Sequence, residues 1–244
     1  MRKRLTARYL CMILALGLLV PASMAEEHTS RRATHAVASQ EPALLEALSA
    51  TSLAPDAPIY VRITKQPAEL TVYKQSEGGP YIAFRTWPIC TFSGGLGPKH
   101  QQGDGKSPEG FYAVSQDAMN PFSSYHLSFN LGYPNAYDRA QGYTGDYLMV
   151  HGSCVSIGCY AMTDAGIEEI WTLMKMAFYG GQRSIPVHIF PFEMTEGWED
   201  GRQTHSELAF WRELEPAWRA FQDTQLPPAT RVEDGAYIIE TSHD

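Results

Sequence analysis

The sequence predicts a mainly β domain with one principal helix, followed by a C-terminal α/β extension. Three observations carry that reading. Short apolar–polar alternations recur from Pro58 onward, one long amphipathic stretch follows Cys159, and a second such stretch with a closing turn signal lies beyond Phe192. The 244 residues, 44% hydrophobic and 11% aromatic, suffice for a substantial core. A formal net charge of -8 argues against the basic face of a nucleic-acid-binding domain.

The first 25 residues read as a targeting segment. Arg2, Lys3, Arg4 and Arg8 precede an apolar run from Leu10 to Val20, and Ser23 and Ala25 supply small residues before a cut after Ala25. That is the layout of a secretory signal peptide, and the run is short for a bilayer span. The mature chain is expected in an exported, oxidising compartment, with no membrane-spanning segment. Residues 26–57 are polar, with one short amphipathic stretch at Leu44, Leu45 and Leu48, and are expected to form a loosely held leader.

The domain itself is expected over 58–192. Ile59, Val61 and Ile63 alternate with Tyr60, Arg62 and Thr64, the pattern of a half-buried strand. Leu70–Tyr73 gives a second strand, and a third, Tyr81 to Thr91, follows the turn at Ser76–Gly79. Ser93 to Pro108 is a loop whose glycines have no helix behind them, which weakens a phosphate-binding reading. Further strands are expected at Gly110–Ser115, around Tyr125–Leu131, where His126 reads as a half-exposed strand residue, and at Tyr147–Val150.

After Cys159, Thr163 is a suitable N-cap, Asp164, Glu168 and Glu169 suit the positive helix end, and Ile167, Ile170, Trp171, Met174 and Phe178 share a face. Gly180-Gly181 ends that helix, and Ile185–Phe190 reads as a buried strand. The extension, 193–244, holds an amphipathic helix from about His205 to Phe221, read as a packing element, and a hairpin turning at Asp234-Gly235.

Chemistry concentrates in Tyr147–Met162. His151-Gly152 ends a strand, and Gly158-Cys159 stands just before a helix. A thiol acts as a nucleophile through its thiolate, and an adjacent imidazole or a helix N-terminus lowers its pKa. Cys159 and His151 are therefore the candidate nucleophile and base, with the backbone N–H groups of Gly158, Cys159 and Tyr160 as candidate oxyanion donors. Two other readings fit the spacing: His151, Cys154 and Cys159 as zinc ligands, or buried structural side chains. Without Cys11 of the signal, three cysteines remain, an odd number that fits one pair plus a free thiol or three free thiols.

The run resembles the signature of the L,D-transpeptidase (YkuD-type) family, in which a His-Gly strand end precedes a Ser-x-Gly-Cys loop, here Ser156-Ile157-Gly158-Cys159. Glu69–Lys74 is similar to an early strand of that family, and Ser107-Pro-Glu-Gly-Phe111 to its Thr-Pro-x-Gly-x-Phe segment. Together these segments cover roughly Pro58 to Phe190. Two features depart from the general pattern. Ile157 stands where most members carry a second histidine, and the His-Gly to Cys interval is short. With Cys90–Pro98 and the long C-terminal part, these features resemble the YafK-like branch.

The resemblance implies an L,D-transpeptidase-type β-sandwich that needs no metal or organic cofactor. It implies thioester chemistry on peptidoglycan stem peptides at diaminopimelate, in the periplasm. The branch further implies a peptidoglycan-linked outer-membrane lipoprotein as partner, with hydrolysis of its tether favoured and cross-link formation, lipoprotein attachment or a non-catalytic wall-binding module as the alternatives. Within that frame Ser156 shapes the loop and is a candidate for meeting substrate, and Tyr133, Asn135, Tyr137 and Tyr143 are candidates for lining a substrate groove or, equally, for packing. Lys99 and Lys106 are candidates for meeting stem carboxylates. Cys90 and Cys154 are a candidate disulfide that would leave Cys159 free, although spacing alone gives no distance between them.

Overall fold

The computed structural model describes residues 29–240, so the expected signal peptide lies outside the described residues. Two five-stranded sheets and a hairpin organise the chain. The first sheet has the order β3-β2-β1-β10-β5, formed by Tyr81–Pro88, Glu69–Gln75, Ile59–Gln66, Ser184–Phe192 and Gly110–Ser115. The second has the order β4-β9-β8-β7-β6, formed by Thr91–Phe92, Tyr160–Ala161, Met149–His151, Ser128–Asn130 and Met119–Asn120. The mainly β expectation holds.

One core joins the sheets. Val61, Ile63, Leu70 and Val72 of the first sheet and Phe129, Val150 and Tyr160 of the second belong to the same buried cluster. It also takes in the apolar face of α3, Asp164–Tyr179, which forms as expected: Thr163 Oγ accepts the Gly166 N–H at 3.0 Å, and Ile167, Ile170, Trp171, Met174 and Phe178 are buried.

The leader expectation is corrected. Residues Arg31–Ser49 form a 19-residue helix, α1, that packs against α3 and buries Ala33, Ala36, Leu44 and Leu48. Ser30 caps it, accepting the Ala33 N–H at 3.1 Å. Its first half uses alanines for close helix packing, and Pro42 interrupts the pattern inside it, so the hydrophobic signal is weak there.

Strand β1 is also more buried than alternation alone predicts. Tyr60 and Thr64 are covered like Val61 and Ile63, because α4 closes the second face. That helix, Leu208–Thr224, packs Trp211, Leu214 and Trp218 with Phe111, Phe190 and Phe192, while Phe221 meets Tyr60 and Tyr73. The hairpin β11–β12, Ala229–Glu233 and Ala236–Glu240, turns at Asp234-Gly235 and adds Tyr237 to the same cluster. Among the described residues no helix is long and apolar enough to cross a membrane.

Candidate active site

Strand β8 delivers His151 to the end of the second sheet, where its neighbours are β7 (antiparallel) and β9 (parallel). The imidazole is buried, and its Nδ1 lies 2.6 Å from the Gly152 carbonyl oxygen. A carbonyl only accepts, so Nδ1 carries the proton and Nε2 keeps the lone pair. Burial lowers the imidazole pKa, opposed by the Gly152 carbonyl, and the ring is neutral at neutral pH. An added Cβ at Gly152 would lie 2.5 Å from Asp164 Oδ1 and 2.9 Å from His126 Cβ, so only glycine fits this turn.

From Gly152 the chain doubles back to start β9 parallel to β8. Parallel neighbours usually need a crossover of a dozen or more residues; here eight suffice, from Gly152 to Cys159. The cost shows in backbone angles, with Ser153, Cys154 and Gly158 at positive φ. A disulfide between Cys154 and Cys90 pins the loop to the bend before β4, and Cys159 is the free cysteine among the described residues.

Two distant serines secure the Cys159 segment. Gly158 donates its N–H to Ser93 Oγ at 2.6 Å, and Ser107 Oγ donates to the Cys159 carbonyl at 2.9 Å, joined there by Ser156 Oγ at 2.7 Å. His151 is in register with Ala161. Two residues earlier on that path, Cys159 falls on the same side of the sheet.

The Cys159 thiol is half-buried, with Sγ 3.4 Å from the Met149 amide nitrogen. Burial pushes its pKa up, while the Met149 N–H and the Lys99 ammonium pull it down. The expectation of a lowered thiol pKa is therefore corrected: thiol and imidazole are both shifted towards their neutral forms.

Several predicted residues take other places. The Gly158 N–H is engaged by Ser93, and Tyr160 is paired within β9 on both sides with its hydroxyl donating to Pro108 O at 2.7 Å. The Tyr133 hydroxyl is turned inward to the Lys99 and Thr144 carbonyls, and Asn135 caps the short helix α2, Ala136–Ala140. The Asn135 amide also donates to Phe111 O and Tyr237 Oη, so both residues serve packing rather than a groove. Tyr137 stacks on Tyr237, and Tyr143 packs on His100.

Lys99 is only 4% exposed and is bound to Asp104 at 2.6 Å, while Lys106 Nζ reaches Leu96 O at 3.5 Å. His126 stands at φ 66 in a turn, not a strand, with Nε2 2.8 Å from Glu168 Oε1. The zinc reading fails because the Cys154 sulfur is bonded to Cys90; among the described residues no three His, Cys, Asp or Glu side chains could hold a metal ion.

Ser93 and Tyr125, whose ring stacks on His151 at 4.7 Å, carry no signal in the sequence, since their partners lie 65 and 26 residues away, and the segment that contains Ser107 does not announce its bond to the Cys159 carbonyl 52 residues on. A groove of about 460 Å³ between α1 and α3 is lined by neither His151 nor Cys159.

Residues 58–189 match the L,D-transpeptidase catalytic domain (YkuD), more than half of the chain. The chain belongs to the L,D-transpeptidase family. It is similar to the Escherichia coli K12 protein YafK, whose L,D-transpeptidase name is provisional. The two are 46% identical over 182 residues, 75% of this chain and 74% of that protein.

Among solved structures it resembles the helical cell shape determining protein Pgp2 (K307A mutant) from Campylobacter jejuni, with a TM-score of 0.45 and 24% identity over 68% of this chain. The match spans 58% of that Pgp2 chain. Bdellovibrio bacteriovorus Bd1075 matches with a TM-score of 0.37, 24% identity and the same coverage of both chains, 68% and 58%. As an L,D-transpeptidase, the chain is a family enzyme acting on peptidoglycan.

Proposed function

We propose that this L,D-transpeptidase acts in the periplasm on stem peptides at diaminopimelate through a thioester on Cys159, and that it favours hydrolysis of the tether joining a lipoprotein to peptidoglycan. The observation that carries the reading is the one free thiol among the described residues, held on a tightly pinned loop on the same sheet face as a neutral imidazole whose Nδ1 proton is bound to Gly152. The Cys90–Cys154 disulfide supports an oxidising compartment.

In this mechanism His151 Nε2 takes the Cys159 proton as Sγ attacks the carbonyl on the L-centre of diaminopimelate. The Cys159 amide holds the oxyanion, since the Gly158 amide is bound to Ser93. Collapse of the tetrahedral intermediate breaks the C–N bond, and the imidazolium returns its proton to the departing amine. Water, deprotonated by His151, then attacks the thioester, which releases a carboxylate and restores the thiol.

Ile157, 87% exposed two residues from the nucleophile, and the short loop leave little polar wall to place a second stem as acceptor, which supports hydrolysis over cross-linking. Purified enzyme incubated with lipoprotein-linked sacculi should release lipoprotein bearing no muropeptide, read by mass spectrometry. New stem-to-stem cross-links from tetrapeptide donors, with no lipoprotein released, would establish the transpeptidase direction instead. Turnover by Cys159→Ala would leave a thiol-independent or purely wall-binding role.

A further inference from the structure

The segment Pro121–His126 touches the base without belonging to the motif that contains it. The Tyr125 ring lies 4.7 Å from the His151 ring at an interplanar angle of 29°, and one face of the imidazole is thereby covered. The Tyr125 carbonyl accepts the Gly152 N–H at 3.0 Å, and Gly152 in turn accepts the His151 Nδ1 proton. Tyr125 thus holds the base twice, directly by its ring and through Gly152 by its backbone. The residue remains 47% exposed, so packing in the core does not account for its position.

The segment is itself clamped from two helices. Arg32 of α1 donates from Nη1 to the carbonyls of Ser123, at 2.9 Å, and His126, at 2.5 Å, and Ser30 Oγ donates to Pro121 O at 2.8 Å. From α3, Glu168 binds the His126 ring, with Asp164 Oδ2 3.9 Å from its Nδ1. The bent backbone of His126, at φ 66, needs such support.

We propose that Tyr125 is a positioning residue for His151, and that α1, acting through Arg32, holds Tyr125 in that place. The inference rests on the reading of His151 as the base. It makes the N-terminal helix part of the apparatus that sets the base, through a stacked ring and two carbonyl hydrogen bonds. The charged and titratable groups around His151 are Cys159 on the nucleophile loop, with Lys99 acting on that thiol, and His126, Asp164 and Glu168 behind Gly152. Since Tyr125 keeps water from one ring face, its removal eases imidazole protonation.

The test is an NMR titration of the His151 ring in the full-length mature protein, its resonance identified by its loss in His151→Gln. Tyr125→Ala should move the midpoint upward, towards the ordinary histidine value of about 6.5. Tyr125→Phe should leave it in place, and Arg32→Ala should move it part of the way. Turnover on lipoprotein-linked sacculi should follow, with Tyr125→Ala losing activity several-fold at mildly acidic pH and less at pH 8. Identical midpoints in wild type, Tyr125→Ala and Tyr125→Phe would overturn the role of Tyr125. A shift in Tyr125→Ala with none in Arg32→Ala would overturn that of α1. Full turnover in His151→Gln would remove the base assignment itself, whatever Tyr125 does to the ring.

Discussion

At the scale of single residues, the candidate site holds a neutral thiol and a neutral imidazole on one face of the second sheet. Burial raises the pKa of Cys159 and lowers that of His151, so neither carries a charge at neutral pH in the free enzyme. Alkylation of Cys159 should therefore be slow at pH 7 and still be rising at pH 9, above the ordinary thiol value of about 8.5. A plateau by pH 7 would reveal a standing thiolate and contradict the neutral pair. His151→Gln should lose two to four orders of magnitude in turnover, roughly the scale of a general base, with the fold intact by circular dichroism. Because the ring must be neutral to accept a proton, its lowered pKa keeps it competent below about pH 6.5. The two candidate side chains stood out because both sit beside glycines in one short run, His151 at a strand end and Cys159 on the loop that follows it. The oxyanion donors stood out less, because nothing in the run announces that Ser93 occupies the Gly158 amide.

At the scale of elements, the loop carrying the nucleophile depends on the loop facing it. Lys65 Nζ, wholly buried, donates to the carbonyls of Gly95, Gly97 and Ser107 and lies 2.9 Å from Glu109 Oε1. Glu109 also accepts from the Gly97 amide at 2.7 Å and from Trp211 Nε1 at 2.9 Å, which ties the loop to α4. Lys65→Met should cost about 3–5 kcal/mol in urea unfolding, since it leaves Glu109 buried without its cation. A loss below about 1 kcal/mol would show that Glu109 is held well enough by its other partners, Gly97 and Trp211. Cys154→Ala, which frees a 64-residue separation, should cost about 4 kcal/mol on chain entropy while Cys159 stays reactive. A Cys154→Ala protein as stable as wild type in urea would show that the bond adds little.

The strands and α3 were readable because alternation, an N-cap and a single apolar face agree there. Helix α1 was not, because alanines and a proline leave no contrast between its faces until α3 is placed beside it.

Across the whole molecule, the centre of the first sheet is covered on both faces, and this burial has a pH signature. His188 lies on β10 opposite Arg62, enclosed by Tyr60, Phe111 and Phe190, and its pKa is lowered to about 3 by burial. The unfolded chain binds a proton at this histidine below about pH 6.5 while the folded chain does not, so the unfolded state holds more protons there. Stability is full above about pH 6.5 and falls progressively as the pH drops towards 3. Urea midpoints measured from pH 7.5 to 5 should decline, and His188→Phe should flatten the part of the decline due to this residue. An equally steep decline in the variant would assign it to other groups.

The same sheet also dictates an order of events in time. Its central strand β1, Ile59–Gln66, lies between β2 and β10, and the β10 residues in register with it run from Val187 to Phe192. A ribosome delivers that partner more than a hundred residues after β1, so the hairpin β1–β2 waits with one edge open while the histidine and cysteine segments are made. Closure of the sheet is a late, long-range event. Until it happens, β5 has no strand to pair with and the first sheet stops at β1.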